Sequence, residues 1–385
     1  MGRMRCLILL PLLLWTSSAV LPPPQMHRNV NDFVEYWAAA HLLLHGGDPY
    51  AGEDVLSWER QAGFTRPAPL IMRNPPWIMP VILIFGLLPF TAAQQIWFGL
   101  SLISVLVSAH WLWKLYPAEG QSPWIAWLVT GFFLPVAVSI AIGQISPLVL
   151  LGIAGFLHSE KHGRPIWAGV FLFLVALKPH LAFLLWVALL FWSIRIRNAR
   201  TLAAFATLTA GASAIALAID PSIFAQYFNF FRRDQLLAEV TPTLAGTLGA
   251  ALGQSYFLRG LPELLALIWF LFYWRRIRSR WEWRSELPLL LMVSLLTISY
   301  GWFFDQIILL PCAFQAAAWL ARSSRFAVGI LAALYLGANA AVLALITTHR
   351  ATFWYVWTLP AWLALYAFIR ARYGRRRLSV VLKAA

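Results

Sequence analysis

Apolar runs recur along the whole chain, and no polar block between them is long enough to fold as a soluble domain. Crossing ~30 Å of hydrocarbon takes about 20 residues of α-helix. The runs fall at 6–21, 94–114, 124–142, 145–158, 166–178, 180–192, 201–219, 261–274, 286–301, 303–321, 326–346 and 353–370. Hydrophobic residues make up 61% of the 385 and charged residues 12%, whereas a soluble domain is about half apolar and a quarter charged. The expected fold class is therefore all-α and polytopic, a single integral membrane domain over 1–385 with about 12 transmembrane helices.

The net charge of +15 invites a nucleic-acid reading, which the placement of the charge removes. Lys and Arg lie in short clusters between apolar runs: Lys161 and Arg164; Arg195, Arg197 and Arg200; Arg275, Arg276, Arg278, Arg280 and Arg284; Arg370, Arg372, Arg375, Arg376 and Arg377. Such clusters set orientation, with the basic loops cytoplasmic. Residues 6–21 follow Arg3 and Arg5 and form the first span; their brevity and the Ser17-Ser18-Ala19 ending also suit a cleavable leader. Residues 22–76 are then a first external loop, carrying Asp32, Glu35, Asp48, Glu53, Asp54 and Glu59. Parity makes 77–90, with Pro80 and Pro89, a re-entrant or interfacial segment ahead of spans 2–7, up to residue 219. A second external loop covers 220–259, spans 8–12 cover 260–370, and a basic tail, 371–385, ends in the cytoplasm. Many of the 21 tryptophans fall near expected interfaces, as an aromatic belt does.

Cys6 and Cys312 both sit in apolar runs and form no disulfide framework or metal-ligand spacing. No phosphate-binding glycine loop, nucleophile elbow or dinucleotide fingerprint occurs. No cofactor and no metal are expected. Chemistry must come from polar side chains at or near membrane depth, where they are costly.

Asp32, in Asn31-Asp32-Phe33-Val34-Glu35-Tyr36-Trp37, follows the first span closely. It reads either as a general base taking a proton from an acceptor hydroxyl or as a helix N-cap paired with Glu35. Tyr36 in the same segment is a candidate substrate contact. Gln144, after Gly143, interrupts an apolar stretch and suits either a sugar hydroxyl or freed backbone groups. Lys178-Pro179-His180 lies between two apolar runs on the outer side by parity. Lys178 there either meets a phosphate or snorkels to headgroups, and His180 is a second candidate contact. Arg232 and Arg233 in the second loop run against the charge bias and suit a phosphate clamp or a solvated pair with Asp234. Asp305 and Gln306 begin a later span, with a structural or a substrate-orienting role.

Taken in order, Asp32-Phe33-x-x-Tyr36-Trp37, Gly47-Asp48-Pro49-Tyr50, Asn74-Pro75-Pro76, Gly143-Gln144-x-x-Pro147, Lys178-Pro179 and Tyr300-x-Trp302-x-x-Asp305-Gln306 resemble glycosyltransferase family 87. The resemblance implies a C-type glycosyltransferase architecture in the plasma (inner) membrane, with a polyprenyl-phosphate sugar as donor and a lipid or glycan as acceptor. It further implies inverting transfer on the extracytoplasmic face, with Asp32 as base. Better-understood relatives transfer mannose, but Thr241-Pro242-Thr243 and Phe303-Phe304 depart from their pattern and leave the sugar open. A lipid-linked sugar flippase would favour matching halves, which the sequence lacks. A polysaccharide polymerase or ligase should carry its main polar loop late, whereas here the largest is first.

Overall fold

A computed structural model describes residues 31–116, 124–197, 199–233, 241–253, 255–321, 325–348 and 352–374, and among these every regular element is helical. The run 6–21, Asp234 and the Arg375–Arg377 cluster lie outside the described residues. The α-helices in chain order are α1 (Phe33–Leu44), α2 (Gly52–Gln61), α3 (Met79–Gly86), α4 (Phe90–Leu115), α5 (Trp124–Gly131), α6 (Leu134–Ala141), α7 (Ser146–Lys161), α8 (Pro165–Val175) and α9 (Phe183–Ile196). They continue with α10 (Arg200–Ile219), α11 (Ile223–Arg233), α12 (Leu244–Leu252), α13 (Tyr256–Ile277), α14 (Trp283–Thr297), α15 (Leu310–Leu320), α16 (Arg325–Thr347) and α17 (Thr358–Ile369).

Among the described residues six helices are long and apolar enough to cross a bilayer: Phe90–Leu115, Pro179–Ile196, Arg200–Ile219, Tyr256–Arg280, Phe303–Leu320 and Phe326–Thr347. The chain is a membrane protein. The run 124–142 folds not as one rod but as α5 and α6, bent by 66°. Pro135 accounts for the break, because it has no N–H for Gly131 and its ring opposes that carbonyl. A backbone group freed in hydrocarbon needs a partner, and Asn339 on α16 supplies one: its Oδ1 accepts from Leu134 N at 2.8 Å. Tyr335, one turn earlier, donates its hydroxyl to Val129 O at 2.7 Å. Counted as one span, the pair makes seven. The runs at 145–158, 166–178, 286–301 and 353–370 fold as α7, α8, α14 and α17, of 16, 11, 15 and 12 residues, shorter than the ~20 a full crossing needs.

The contacts divide the chain into two compact units. One comprises the described residues 31–99, 141–144 and 214–232. Its centre is α1, which α3 approaches so closely that a Cβ on Gly86 would stand 2.7 Å from the carbonyl carbon of Ala40. The carbonyls at the end of α3, which have no intrahelical donor, meet side chains of α1. Trp37 Nε1 donates to Leu88 O at 2.9 Å, and His41 Nδ1 lies 2.9 Å from Gly86 O. Phe33, Phe85 and Trp97 close the core in edge-on and tilted contacts of 5.2 to 5.7 Å. At 8 residues, α3 is about 12 Å long, a length suited to a re-entrant or interfacial piece.

The other unit holds the described residues within 100–140, 145–213 and 233–374. Its tightest pair is α7 and α8, where Gly152 and Gly155 let the backbones meet. A Cβ on Gly155 would fall 2.3 Å from the Phe171 ring. Small residues at such crossings are how helices associate in lipid, where apolar burial gives no advantage. At one end, Arg370 turns into the protein, its Nη2 2.8 Å from both Glu286 Oε2 and the Tyr273 hydroxyl, tying α13, α14 and α17 together. An apolar cavity of about 270 Å³ is lined by residues including Phe133, Ala316, Leu331 and Trp362.

Overpacking a closed contact typically costs 1–3 kcal/mol. Gly155→Ala is therefore expected to lower the midpoint of thermal aggregation in detergent, and Phe171→Leu in the same chain should restore part of the loss. An unchanged midpoint in the single variant would show that the α7–α8 contact is looser than described.

Candidate active site

Two polar centres stand out, one in each unit. The first forms around Asp32 at the start of α1. Asp32 precedes the helix with φ −84° and ψ −14°, and its side chain makes no capping hydrogen bond. Asn31 acts locally instead, its Oδ1 accepting from Phe33 N at 2.9 Å. Asp32 N donates to Ile142 O at 2.6 Å, which brings the turn 142–144 against the helix start. Gly143 makes that approach possible. It has φ +76°, and a Cβ there would lie 2.7 Å from Phe33 Cβ and 3.1 Å from Asn31 Oδ1. Trp97 Nε1 fixes the same turn by donating to Gly143 O at 2.8 Å.

The turn presents Gln144 to the carboxylate. Gln144 Nε2 donates to Asp32 Oδ2 at 2.7 Å, and its Oε1 accepts from the Tyr36 hydroxyl at 3.3 Å. Gln144 and Tyr36 are buried, so the amide is held in one orientation. Arg66 approaches from the other side, with Nη2 3.9 Å from Asp32 Oδ1 and both side chains 18% exposed. Asp32 is thus a positioned carboxylate that stays partly exposed. Nearby in the chain, burial pushes the Glu59 carboxyl above its usual range, while the hydrogen bond from Leu70 N and the charge of Arg66 oppose the rise.

The second centre forms where α8 ends. Pro179 disfavours helical backbone at the residue before it, and Lys178 takes φ −135° and ψ 72°. Its side chain turns inward. Lys178 is 8% exposed, with Nζ 2.8 Å from Asp305 Oδ1 and 5.1 Å above the Phe304 ring. Asp305 is fully buried; its Oδ1 also accepts from Ser146 Oγ at 2.8 Å and its Oδ2 from Trp302 N at 3.0 Å. Lys178 does not snorkel. A buried ion pair of this kind needs added hydrogen bonds to offset desolvation, and Ser146 and Trp302 provide them. The His180 ring lies 6.1 Å from that of Tyr300, whose hydroxyl accepts from Trp302 Nε1 at 2.7 Å. Gln306 Nε2 donates to Thr358 Oγ1 at 2.7 Å. Two buried atoms here, His180 Nε2 and Gln306 Oε1, have no hydrogen-bond partner, an expense that a polar ligand would relieve.

Of the residues expected from sequence, Asp32, Gln144 and Tyr36 come together in the first centre. Lys178 and Asp305 pair in the second, with His180 beside them and Gln306 next in the chain. Arg232 and Arg233 join neither centre through a described contact; both are exposed at the end of α11. Sequence reasoning missed Arg66, Trp97, Ser146 and Thr358. Ser146 lay within the Gly143–Pro147 motif and was open to notice. Arg66 carried no local signal, since its contact with Asp32 joins distant parts of one loop.

Apolar spans with buried polar centres define a membrane-embedded protein. The profile of glycosyltransferase family 87 matches residues 73–300, more than half of the chain, and the chain belongs to that family: it is a membrane glycosyltransferase. The matched stretch contains Asn74-Pro75-Pro76, Gly143-Gln144 and Lys178-Pro179, while Asp32, Asp305 and Gln306 lie outside it. No curated protein matches the chain, and no solved structure does.

Removing one partner of a buried ion pair costs about 3–5 kcal/mol, because it strands the other charge. Lys178→Ala is expected to destabilise the protein on that scale. Lys178→Met combined with Asp305→Leu should recover most of the loss. Thermal unfolding of the purified variants in detergent checks both; a harmless Lys178→Ala would mean the pair is not closed as described.

Proposed function

We propose that the enzyme moves a sugar from a polyprenyl-phosphate donor to a lipid or glycan acceptor at the extracytoplasmic face of the plasma membrane. The transfer inverts the anomeric centre. Asp32 takes the proton from the acceptor hydroxyl as that oxygen bonds to the anomeric carbon. The bond from carbon to phosphate oxygen breaks, and its electron pair leaves with the polyprenyl phosphate. The observation carrying this reading is the Asp32 carboxylate itself: it is freed from helix capping, oriented by Gln144 and Arg66, and open enough to meet an acceptor. Gln144 and Tyr36 hold it.

Lys178 is the cation offered to the donor phosphate in this reading, with Asp305 holding it in place in the resting protein. His180 Nε2 and Gln306 Oε1 are offered to hydroxyls of the sugar. A hexose suits them, and mannose is one candidate. In this reading residues 22–76 and 220–259 are external and 77–90 is re-entrant. The alternation of basic clusters along the sequence supports this topology.

General-base catalysis contributes about 10²–10⁴-fold. Asp32→Asn keeps the size and the bond from Gln144 yet cannot take a proton. It should elute as a single monodisperse peak, bind lipid donor, and transfer radiolabelled sugar at least ~100-fold more slowly. Full activity would sink Asp32 as the base. Lys178→Arg keeps the charge beside Asp305 but changes its shape, so donor KM should rise with the fold preserved; an unmoved donor KM would confine Lys178 to structure.

A further inference from the structure

The aromatic helix α11 follows α10, one of the six candidate spans, after only Asp220, Pro221 and Ser222. That turn is pinned. Ser222 N and Oγ donate to Asp220 Oδ1 at 2.8 and 2.6 Å, and Gln226 Nε2 donates to Asp220 Oδ2 at 2.8 Å. A helix tethered so briefly to the end of a span cannot leave the bilayer surface.

At 100° per residue, Ile223, Tyr227 and Phe230 share one edge of α11. That edge faces protein: Ile223 is fully buried, and Tyr50 lies against Tyr227 at 5.4 Å and Phe230 at 6.0 Å. The adjoining edge carries Phe224, Phe228 and Phe231, and Phe228 is 59% exposed. The opposite side is Ala225, Asn229 and Arg233, all exposed. Arg232, also exposed, stands one turn after Phe228, on the same side. Aromatic rings bordered by cations are the pattern of a helix lying in a lipid interface. A guanidinium beside a lipid-facing ring reaches headgroup phosphate while its stem covers apolar surface.

We infer that α11 lies flat in the lipid–water interface where α10 ends, with Phe224, Phe228 and Phe231 in the acyl boundary and Arg232 and Arg233 on the phosphates of anionic lipids. The two arginines then serve the bulk membrane surface rather than the donor substrate. This holds whatever sugar the enzyme transfers, and its test does not read transfer.

The full chain, with Cys6→Ser and Cys312→Ala, is reconstituted in vesicles of phosphatidylcholine alone or mixed equally with phosphatidylglycerol. A nitroxide is attached at Phe224→Cys, Phe228→Cys or Asn229→Cys, using variants that elute as one peak. Oxygen partitions into lipid and a nickel chelate into water. The oxygen-to-nickel accessibility ratio should be severalfold higher at positions 224 and 228 than at 229. Equal ratios at all three positions, or the reverse order, would overturn the interfacial placement. Adding phosphatidylglycerol should raise the ratio at 228, and Arg232→Gln with Arg233→Gln should abolish that rise. A ratio indifferent to phosphatidylglycerol in the parent chain, or a rise that survives both substitutions, would remove the arginines from the headgroups.

Discussion

A chain that lives in hydrocarbon must find partners for its polar groups within itself, and this requirement shapes each feature described above. Where Pro135 breaks a run, the freed Leu134 N–H is met by Asn339 from a helix far along the chain. Where Lys178 interrupts two apolar runs, its charge is met by Asp305, which Ser146 and Trp302 support in turn. In water each of these groups would be satisfied by solvent and carry little structural consequence. In lipid each becomes a fixed joint between distant segments. The same economy gives meaning to the groups left over: His180 Nε2 and Gln306 Oε1 stand buried without a protein partner beside or next in sequence to that ion pair.

The Asp32 centre obeys a different logic, because its carboxylate is partly exposed rather than closed off. Its carboxylate is held by an amide and approached by a guanidinium. The amide is itself anchored by Tyr36 and by a glycine turn that no other residue could make as closely. Such layered support is what a reacting group needs, since catalytic side chains depend on neighbours that fix their rotamers. Family membership supplies the reaction class, glycosyl transfer. The local geometry supplies a reason to look for the base at a residue outside the matched stretch.

Much of the fold was legible in the sequence. The long runs became α4, α10, α13 and α16 because uninterrupted apolar stretches of crossing length have few alternatives. Proline was harder to read: Pro135 splits one run into a bent pair, while Pro262 and Pro288 sit inside continuous helices. Distant side chains meet freed groups in both cases: Asn339 at the break, and Tyr116 and Gln315 at the Arg284 carbonyl that Pro288 leaves without its helical donor, partners that no local pattern encodes. Of the site, Asp32, Gln144 and Lys178 announced themselves as polar residues in apolar surroundings. Their partners did not, because Asp32 to Gln144 and Lys178 to Asp305 are long-range contacts. The capping pattern of Asp32 with Glu35 was a decoy, with Asn31 bonding the first helical N–H instead.

The glycine contacts change which positions of such a protein can vary. Ile84 on α3 and Leu87 just past its end are 61% and 70% exposed; so little enclosed, either tolerates exchange for most apolar side chains. Gly86 between them has the backbone of Ala40 against it and no room for a methyl group. Gly152, Gly155 and Gly169 are enclosed in the same way by Phe171, Leu174 and the Thr201 carbonyl. Sequence drift in this chain should therefore run opposite to that of a soluble enzyme: its bulky surface residues are interchangeable, and the narrowest choice falls where there is no side chain at all.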